Sequence, residues 1–226
     1  RYWLFLERVR GVPLTEVGDS AVWRQVSGWL AGMHGRLARD TGLADAASLV
    51  PLVRYDRANA RGWMKRAQQH LEADAAQPRS VRLRFASLAS QYEGLLDEIA
   101  ALPSGFVHGE FFASNVLVET MAGQVRVRPV DWELAGMGPM LMDLAALTAG
   151  RWTEDERAEM AATYRTVASE EPGPSLSHGA FMRALDCCRL QLAVQRFGWA
   201  RQWTPPATHT QNWLGEALHA ADRLGF

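Results

Sequence analysis

The 226-residue sequence predicts a mainly α-helical α+β domain with a short β-hairpin. Several long segments repeat apolar residues every three or four positions, the period of an amphipathic helix. One region breaks that period. Val116-Leu117-Val118 and Val125-Arg126-Val127 are β-rich runs on either side of Met121-Ala122-Gly123, which reads as a hairpin turn. The stretches flanking this hairpin, Phe106–Asn115 and Val130–Glu133, concentrate the polar groups that carry chemistry.

Tyr2-Trp3-Leu4-Phe5-Leu6 has the pattern of a buried strand, ended by Gly11 and Pro13. Asp19 or Ser20 caps a helix to about Arg39, with Val22, Val26, Trp29, Met33 and Leu37 on its apolar face. Gly28 and Gly32, one turn apart, allow a close helix contact. His34 reads as a packing or capping residue. A second helix runs from Asp56 to about Leu71, with Trp63, Met64, Ala67 and Leu71 inward and a solvated basic face. A third runs from Ser80 to Ala101 on Val81, Phe85, Leu88, Tyr92, Leu95 and Ile99, and Pro103-Ser104-Gly105 ends it.

After the hairpin, Gly136, Gly138 and Pro139 predict a loop before a helix from Met140 to Ala149. Thr153-Glu154-Asp155-Glu156 is a capping-box signature for a helix to about Val167. Phe181, Leu185, Cys188 and Leu192 mark the next helix. A Pro-containing connection over Arg201–Thr210 leads to a last amphipathic helix with Trp213, Leu214, Ala217, Leu218, Ala221 and Leu224 inward.

Bulk properties exclude several function classes. A net charge of −1 gives no electrostatic case for nucleic acid. No apolar run is long enough to span a bilayer, and no signal-peptide pattern opens the chain. Cys187 and Cys188 are adjacent and cannot staple distant segments, so a reducing, cytoplasmic setting is expected. Cys188 lies on an apolar face with no basic neighbour, which reads as an inert thiol.

The chemistry-bearing residues are His108, Glu110, Asn115, Asp131 and Glu133. Two carboxylates and an amide at this spacing suit metal-assisted phosphoryl transfer, which needs a carboxylate at the attacking hydroxyl and oxygen ligands for Mg²⁺. His108-x-Glu110-x-x-x-x-Asn115 keeps the register of the protein-kinase catalytic loop H-R-D-x-x-x-x-N, with Glu in place of Asp. A hairpin between Asn115 and Asp131 would fold the two back beside each other.

On these residues the sequence resembles the aminoglycoside phosphotransferase and choline kinase family, a branch of the protein-kinase-like fold. His108 to Leu117 is similar to the family's H-G-D-x-x-x-x-N-x-L, Asp131-Trp132-Glu133 to its D-W-E, and Asp143-Leu144-Ala145 to its D-L-A. Met33-His34 resembles the family's Leu-His pair. The resemblance implies a kinase-like C-terminal lobe over residues 13–226, with the catalytic loop at 106–118 and the metal-binding segment at 130–133. Residues 1–12 would form an interlobe hinge strand whose Glu7 carbonyl and Val9 N–H hold adenine. It further implies Glu110 as the catalytic carboxylate and Asn115 and Asp131 as Mg²⁺ ligands. His108, Glu133 and Asp143 would brace them. ATP or GTP would be the donor and a small-molecule hydroxyl the acceptor. The acceptor is expected against the helices after Asp143, on an acidic surface that attracts a cation.

No Gly-rich loop or Lys precedes the hinge, so an N-terminal lobe of the same protein is expected, and this segment alone is expected to be inactive. The alternative reading is a degenerate kinase-like module that binds nucleotide or a partner without turnover. Other classes fail on missing residues. A zinc deaminase needs P-C-x-x-C besides H-x-E. Serine hydrolase and P-loop signatures are absent.

Overall fold

The computed structural model describes residues 7–40, 42, 52–121, 124–150, 152–170, 176–200 and 211–226. The Tyr2–Leu6 run, the hairpin tip at 122–123 and the 201–210 connection lie outside the described residues. Seven α-helices are described: α1 (Ser20–Ala38), α2 (Arg57–Ala73), α3 (Arg79–Ala100), α4 (Leu141–Leu147), α5 (Glu154–Ser169), α6 (His178–Trp199) and α7 (Trp213–Leu224).

Helix starts follow side-chain caps. Asp19 accepts from the Ala21 N–H at 2.8 Å, and Asp56 accepts from the Asn59 N–H at 2.9 Å. The expected capping box forms at α5, where Thr153 and Glu156 satisfy each other's backbone N–H groups. Asn212 caps α7, and Gly225, at φ +82°, ends it in the left-handed conformation.

Two small sheets flank the site. One has the order β1 (Val12–Pro13), β4 (Val116–Met121), β5 (Gln124–Pro129), all antiparallel. The β4–β5 pair is the expected hairpin, and its register sets Val118 opposite Val127. The other has the order β2 (Val53–Arg54), β6 (Gly136–Pro139), β3 (Ser104–Val107), with β2 parallel and β3 antiparallel to β6. This second sheet corrects the sequence reading. Gly136-Met137-Gly138-Pro139 is a strand, although its composition disfavours one. A Cβ at Gly138 would fall 2.5 Å from Tyr55 Cβ, so glycine is what lets the strand lie against the chain after β2.

The apolar interior has two parts. Leu30, Phe111, Val116, Leu144, Leu147, Met160, Leu185 and Cys188 belong to one. Met64, Leu71, Phe85, Leu95, Cys187, Leu190, Val194 and Leu218 belong to the other. Helix α6 contributes to both, because adjacent residues such as Cys187 and Cys188 project about 100° apart around the helix and reach different clusters. Among the described residues, no helix is long and apolar enough to cross a membrane.

Candidate active site

Strand β3 delivers the chain into the loop over residues 108–115, and Asp143, in the first turn of α4, anchors it. The Asp143 carboxylate is fully buried. It accepts the His108 N–H at 2.7 Å, the Gly109 N–H at 2.9 Å and His34 Nε2 at 3.1 Å. His34 Nδ1 is in turn 2.8 Å from the Tyr164 hydroxyl, so α1, α4, α5 and the loop share one buried polar chain. Gly109 has φ +83°, and a Cβ there would collide with the Tyr55 hydroxyl and the Leu134 carbonyl oxygen, so the sharp bend requires glycine.

His108 is buried, and burial pushes its pKa below the ordinary imidazole value. Its Nε2 lies 3.0 Å from the Val130 carbonyl oxygen, which can only accept. Its Nδ1 faces the Glu110 N–H at 3.3 Å, which can only donate. The ring is therefore a neutral Nε2–H tautomer joining this loop to the segment before Asp131. Both ring nitrogens are hydrogen-bonded within the fold.

Glu110 is 8% exposed and ion-paired with Arg196 of α6. Single carboxylate oxygens of Glu110, Asp131 and Glu133 all lie within 4.8 Å of one another. Asn115 closes the loop: its Nδ2 donates to the Glu110 carbonyl at 3.1 Å, and its own carbonyl accepts the Val130 N–H at 2.9 Å. Asp131 follows at φ 67° and ψ 60°. Among the described residues it is the one non-glycine residue with positive φ. That conformation costs about 1–2 kcal/mol, and it turns the side chain back toward the loop.

Glu110 is buried while Asp131 and Glu133 are exposed, and a cation among the three would relieve what repulsion solvent leaves. Arg196 bonds one carboxylate oxygen of Glu110. An all-oxygen set that includes Asp131, Glu133 and the Asn115 amide suits a hard divalent ion such as Mg²⁺. The structure brings the carboxylates of Glu110, Asp131 and Glu133 together, ties Asn115 to the Glu110 backbone, and bonds His108 and Asp143 to the same loop. Glu133, expected to brace the loop, is exposed and places a carboxylate oxygen within 4.8 Å of those of Glu110 and Asp131. Glu7 is exposed and Val9 half-buried, both in irregular chain ahead of β1.

Two features were not foreseen. Arg196 interrupts the apolar face of α6 one turn beyond Leu192. Its position within Leu192-Ala193-Val194-Gln195-Arg196-Phe197 is the signal that was available. The surface after Asp143 also differs from expectation. The groove between α4, α6 and α7 is lined, among the described residues, by Arg157, Arg189, Arg223, His219 and Glu216, and Asp186 and Glu154 pair with its arginines.

This helical lobe, with a hairpin between Asn115 and Asp131 beside the buried Glu110, has the protein-kinase-like fold of small-molecule phosphotransferases. The phosphotransferase enzyme family model matches residues 1–184, and the chain belongs to that family. Among solved structures, the chain is similar to choline kinase from Cryptosporidium parvum Iowa II, at 11% identity and a TM-score of 0.59, over 96% of this chain and 68% of that one. It is similar to the GDP complex of aminoglycoside 2'-phosphotransferase-IIIa, at 16% identity and a TM-score of 0.56, over 96% and 68%. A microcompartment-associated aminopropanol kinase aligns at 15% identity and a TM-score of 0.62, over 90% and 60%. The chain spans roughly two thirds of the length of these structures. No curated protein matches it.

Proposed function

We propose that the protein is a phosphotransferase that moves the γ-phosphoryl group of ATP or GTP to the hydroxyl of a small molecule, with Mg²⁺. The observation that carries this reading is the convergence of the Glu110, Asp131 and Glu133 carboxylates beside Asn115. Family membership supports the reaction class, and a GDP complex of one structural relative supports a nucleotide donor.

In this reading Glu110 orients the acceptor hydroxyl and takes its proton. The acceptor oxygen bonds to the γ-phosphorus while the bond from that phosphorus to the β–γ bridging oxygen breaks. The nucleoside diphosphate leaves with the electron pair. Asn115 and Asp131 would hold Mg²⁺, with Glu133 beside them, and the ion supplies charge neutralisation for the phosphates. Asp143 and His108 keep the loop in register. The Glu7 carbonyl and Val9 N–H are proposed to meet the adenine. A cytoplasmic setting fits the two free, buried thiols of Cys187 and Cys188.

The test is Mg²⁺-dependent release of nucleoside diphosphate from the complete gene product across a panel of hydroxyl acceptors. Acceptor-stimulated turnover that disappears on chelation supports the reading. Nucleotide affinity without turnover supports the alternative, a binding module, for which the Glu110–Arg196 ion pair is the favouring observation.

A further inference from the structure

The segment that carries Asp131 and Glu133 is tied down at both ends. Its front is bonded to the loop over residues 108–115. The Val130 N–H donates to the Asn115 carbonyl at 2.9 Å, and the Val130 carbonyl faces His108 Nε2 at 3.0 Å. Next come the left-handed Asp131 and one short turn, Trp132–Leu134, closed by the Ala135 N–H on the Trp132 carbonyl at 3.0 Å. A lone turn after a strained residue has little stability of its own. Its rear tether comes from 79 residues earlier in the chain: the Tyr55 hydroxyl donates to the Leu134 carbonyl at 2.7 Å.

The same ring touches the other half of the site. Gly136 and Gly138 lie on one face of β6. A Cβ at Gly136 would fall 2.9 Å from Tyr55 Cε2, and one at Gly138 would fall 2.5 Å from Tyr55 Cβ. A Cβ at Gly109 would strike the Tyr55 hydroxyl. The ring therefore lies along bare backbone from β6 to the bend before Glu110, and its oxygen stands between Gly109 and Leu134. The Tyr55 backbone is fixed as well, by its N–H on the Met137 carbonyl at 2.9 Å. Burial, and then the charges of Asp143 and Glu110, raise the phenol pKa above its ordinary value, so the hydroxyl stays a donor.

We infer that Tyr55 is a positioning residue: its hydroxyl holds the Asp131–Glu133 turn at a set distance from the Glu110 loop and so tunes the site for a small divalent cation. The inference rests on the phosphotransferase reading and adds to it the group that spaces the two halves of the site. Mg²⁺ demands near-ideal octahedral geometry, whereas Ca²⁺ accepts looser and more variable oxygen sets. A turn released at its rear should therefore lose Mg²⁺ more than Ca²⁺. Loss of a hydroxyl that served packing alone would not separate the two ions.

The experiment uses the complete gene product and two variants. Tyr55→Phe keeps the ring on the glycines and removes the one hydrogen bond. Tyr92→Phe is the control, because it removes a buried hydroxyl that bonds Gln191 in the other core. The first readout is amide exchange without ligand. The Ala135 N–H should exchange at least ~3-fold faster in Tyr55→Phe, with the α6 amides unchanged. The second is binding of a non-hydrolysable ATP analogue by calorimetry at varied Mg²⁺ or Ca²⁺. In Tyr55→Phe the half-saturating Mg²⁺ concentration should rise ~3–10-fold, and that of Ca²⁺ should rise less. Tyr92→Phe should match the wild-type protein in both readouts.

Wild-type exchange at Ala135 in a folded Tyr55→Phe protein overturns the inference. So does an unchanged Mg²⁺ requirement, an equal shift for both ions, or the same shifts in Tyr92→Phe. The two readings fail separately. Absence of Mg²⁺-dependent nucleotide binding by the wild-type protein removes the phosphotransferase proposal. The exchange of Ala135 needs no ligand and decides by itself whether Tyr55 holds the turn.

Discussion

The Glu110 carboxylate is held from two sides, by its ion pair to Arg196 and by the loop that Asp143 and His108 keep in register. Glu110→Gln keeps the shape and removes the proton acceptor. It should lower kcat by about 10²–10⁴-fold, the usual contribution of a positioned base, with nucleotide affinity little changed. Unchanged kcat would take Glu110 out of the chemistry. Asp143 acts differently, through backbone. Asp143→Ala strands the His108 and Gly109 N–H groups and His34 in a buried space, and each hydrogen bond to a carboxylate is worth about 1.5–3 kcal/mol. A loss of at least about 3 kcal/mol in urea unfolding is expected, with the m-value unchanged. Residues of this kind were legible in the sequence, because His108, Glu110, Asn115, Asp131 and Asp143 sit at short fixed spacings around one hairpin. Arg196 was not. It is 86 residues from Glu110, and only the rotation of α6 about its axis decides that the two meet.

Among the elements, the helices declared themselves through caps and the 3.6-residue period, and the capping box of α5 gives a direct check. Thr153→Ala removes the side-chain acceptor of the Glu156 N–H, which should cost about 1 kcal/mol in chemical denaturation while leaving turnover intact. A cost near zero would mean that α5 is held by packing on α1 alone. The second sheet was hidden for a physical reason. Its strands are two to four residues long, too short for an alternating pattern, and β6 consists of Gly, Met, Gly and Pro. Such a strand is fixed by what lies against it, here β2, β3 and Tyr55. Pairing partners far apart in the chain leave no local trace, whereas the β4–β5 hairpin, closed by a short turn, left a clear one. That hidden sheet matters for the site. Tyr55, which follows β2, donates to the Leu134 carbonyl at 2.7 Å and so pins the turn after Asp131.

In the whole molecule, α6 joins the two cores, and its adjacent cysteines report on one core each, Cys188 on the first and Cys187 on the second. Both thiols are fully buried. Burial pushes the Cys187 thiol from its ordinary value of 9.0 up to about 12, and burial raises Cys188 as well. The folded protein therefore holds thiol protons that the unfolded chain releases. The stability this represents is complete below pH 9 and is lost as pH rises from 9 toward 12. Its limiting slope is about 1.4 kcal/mol per pH unit for each thiol. The urea midpoint should fall between pH 8.5 and 9.5, and the fall should shrink in Cys187→Ala/Cys188→Ala, a double variant of small, apolar side chains. An equal fall in that variant would assign the pH dependence to other groups. The same thiols test whether the lobe opens as one unit. Because neither is accessible or ionised in the folded state at pH 8, alkylation must pass through unfolding. If a single helix packed into both cores makes the lobe cooperative, Cys187 and Cys188 will be alkylated at the same rate in the wild-type protein. Both rates will then rise with urea along the global m-value. Faster modification of Cys187, with a shallower urea dependence, would show that the α2–α3–α7 core opens by itself while Glu110, Asp131 and Asp143 stay in place.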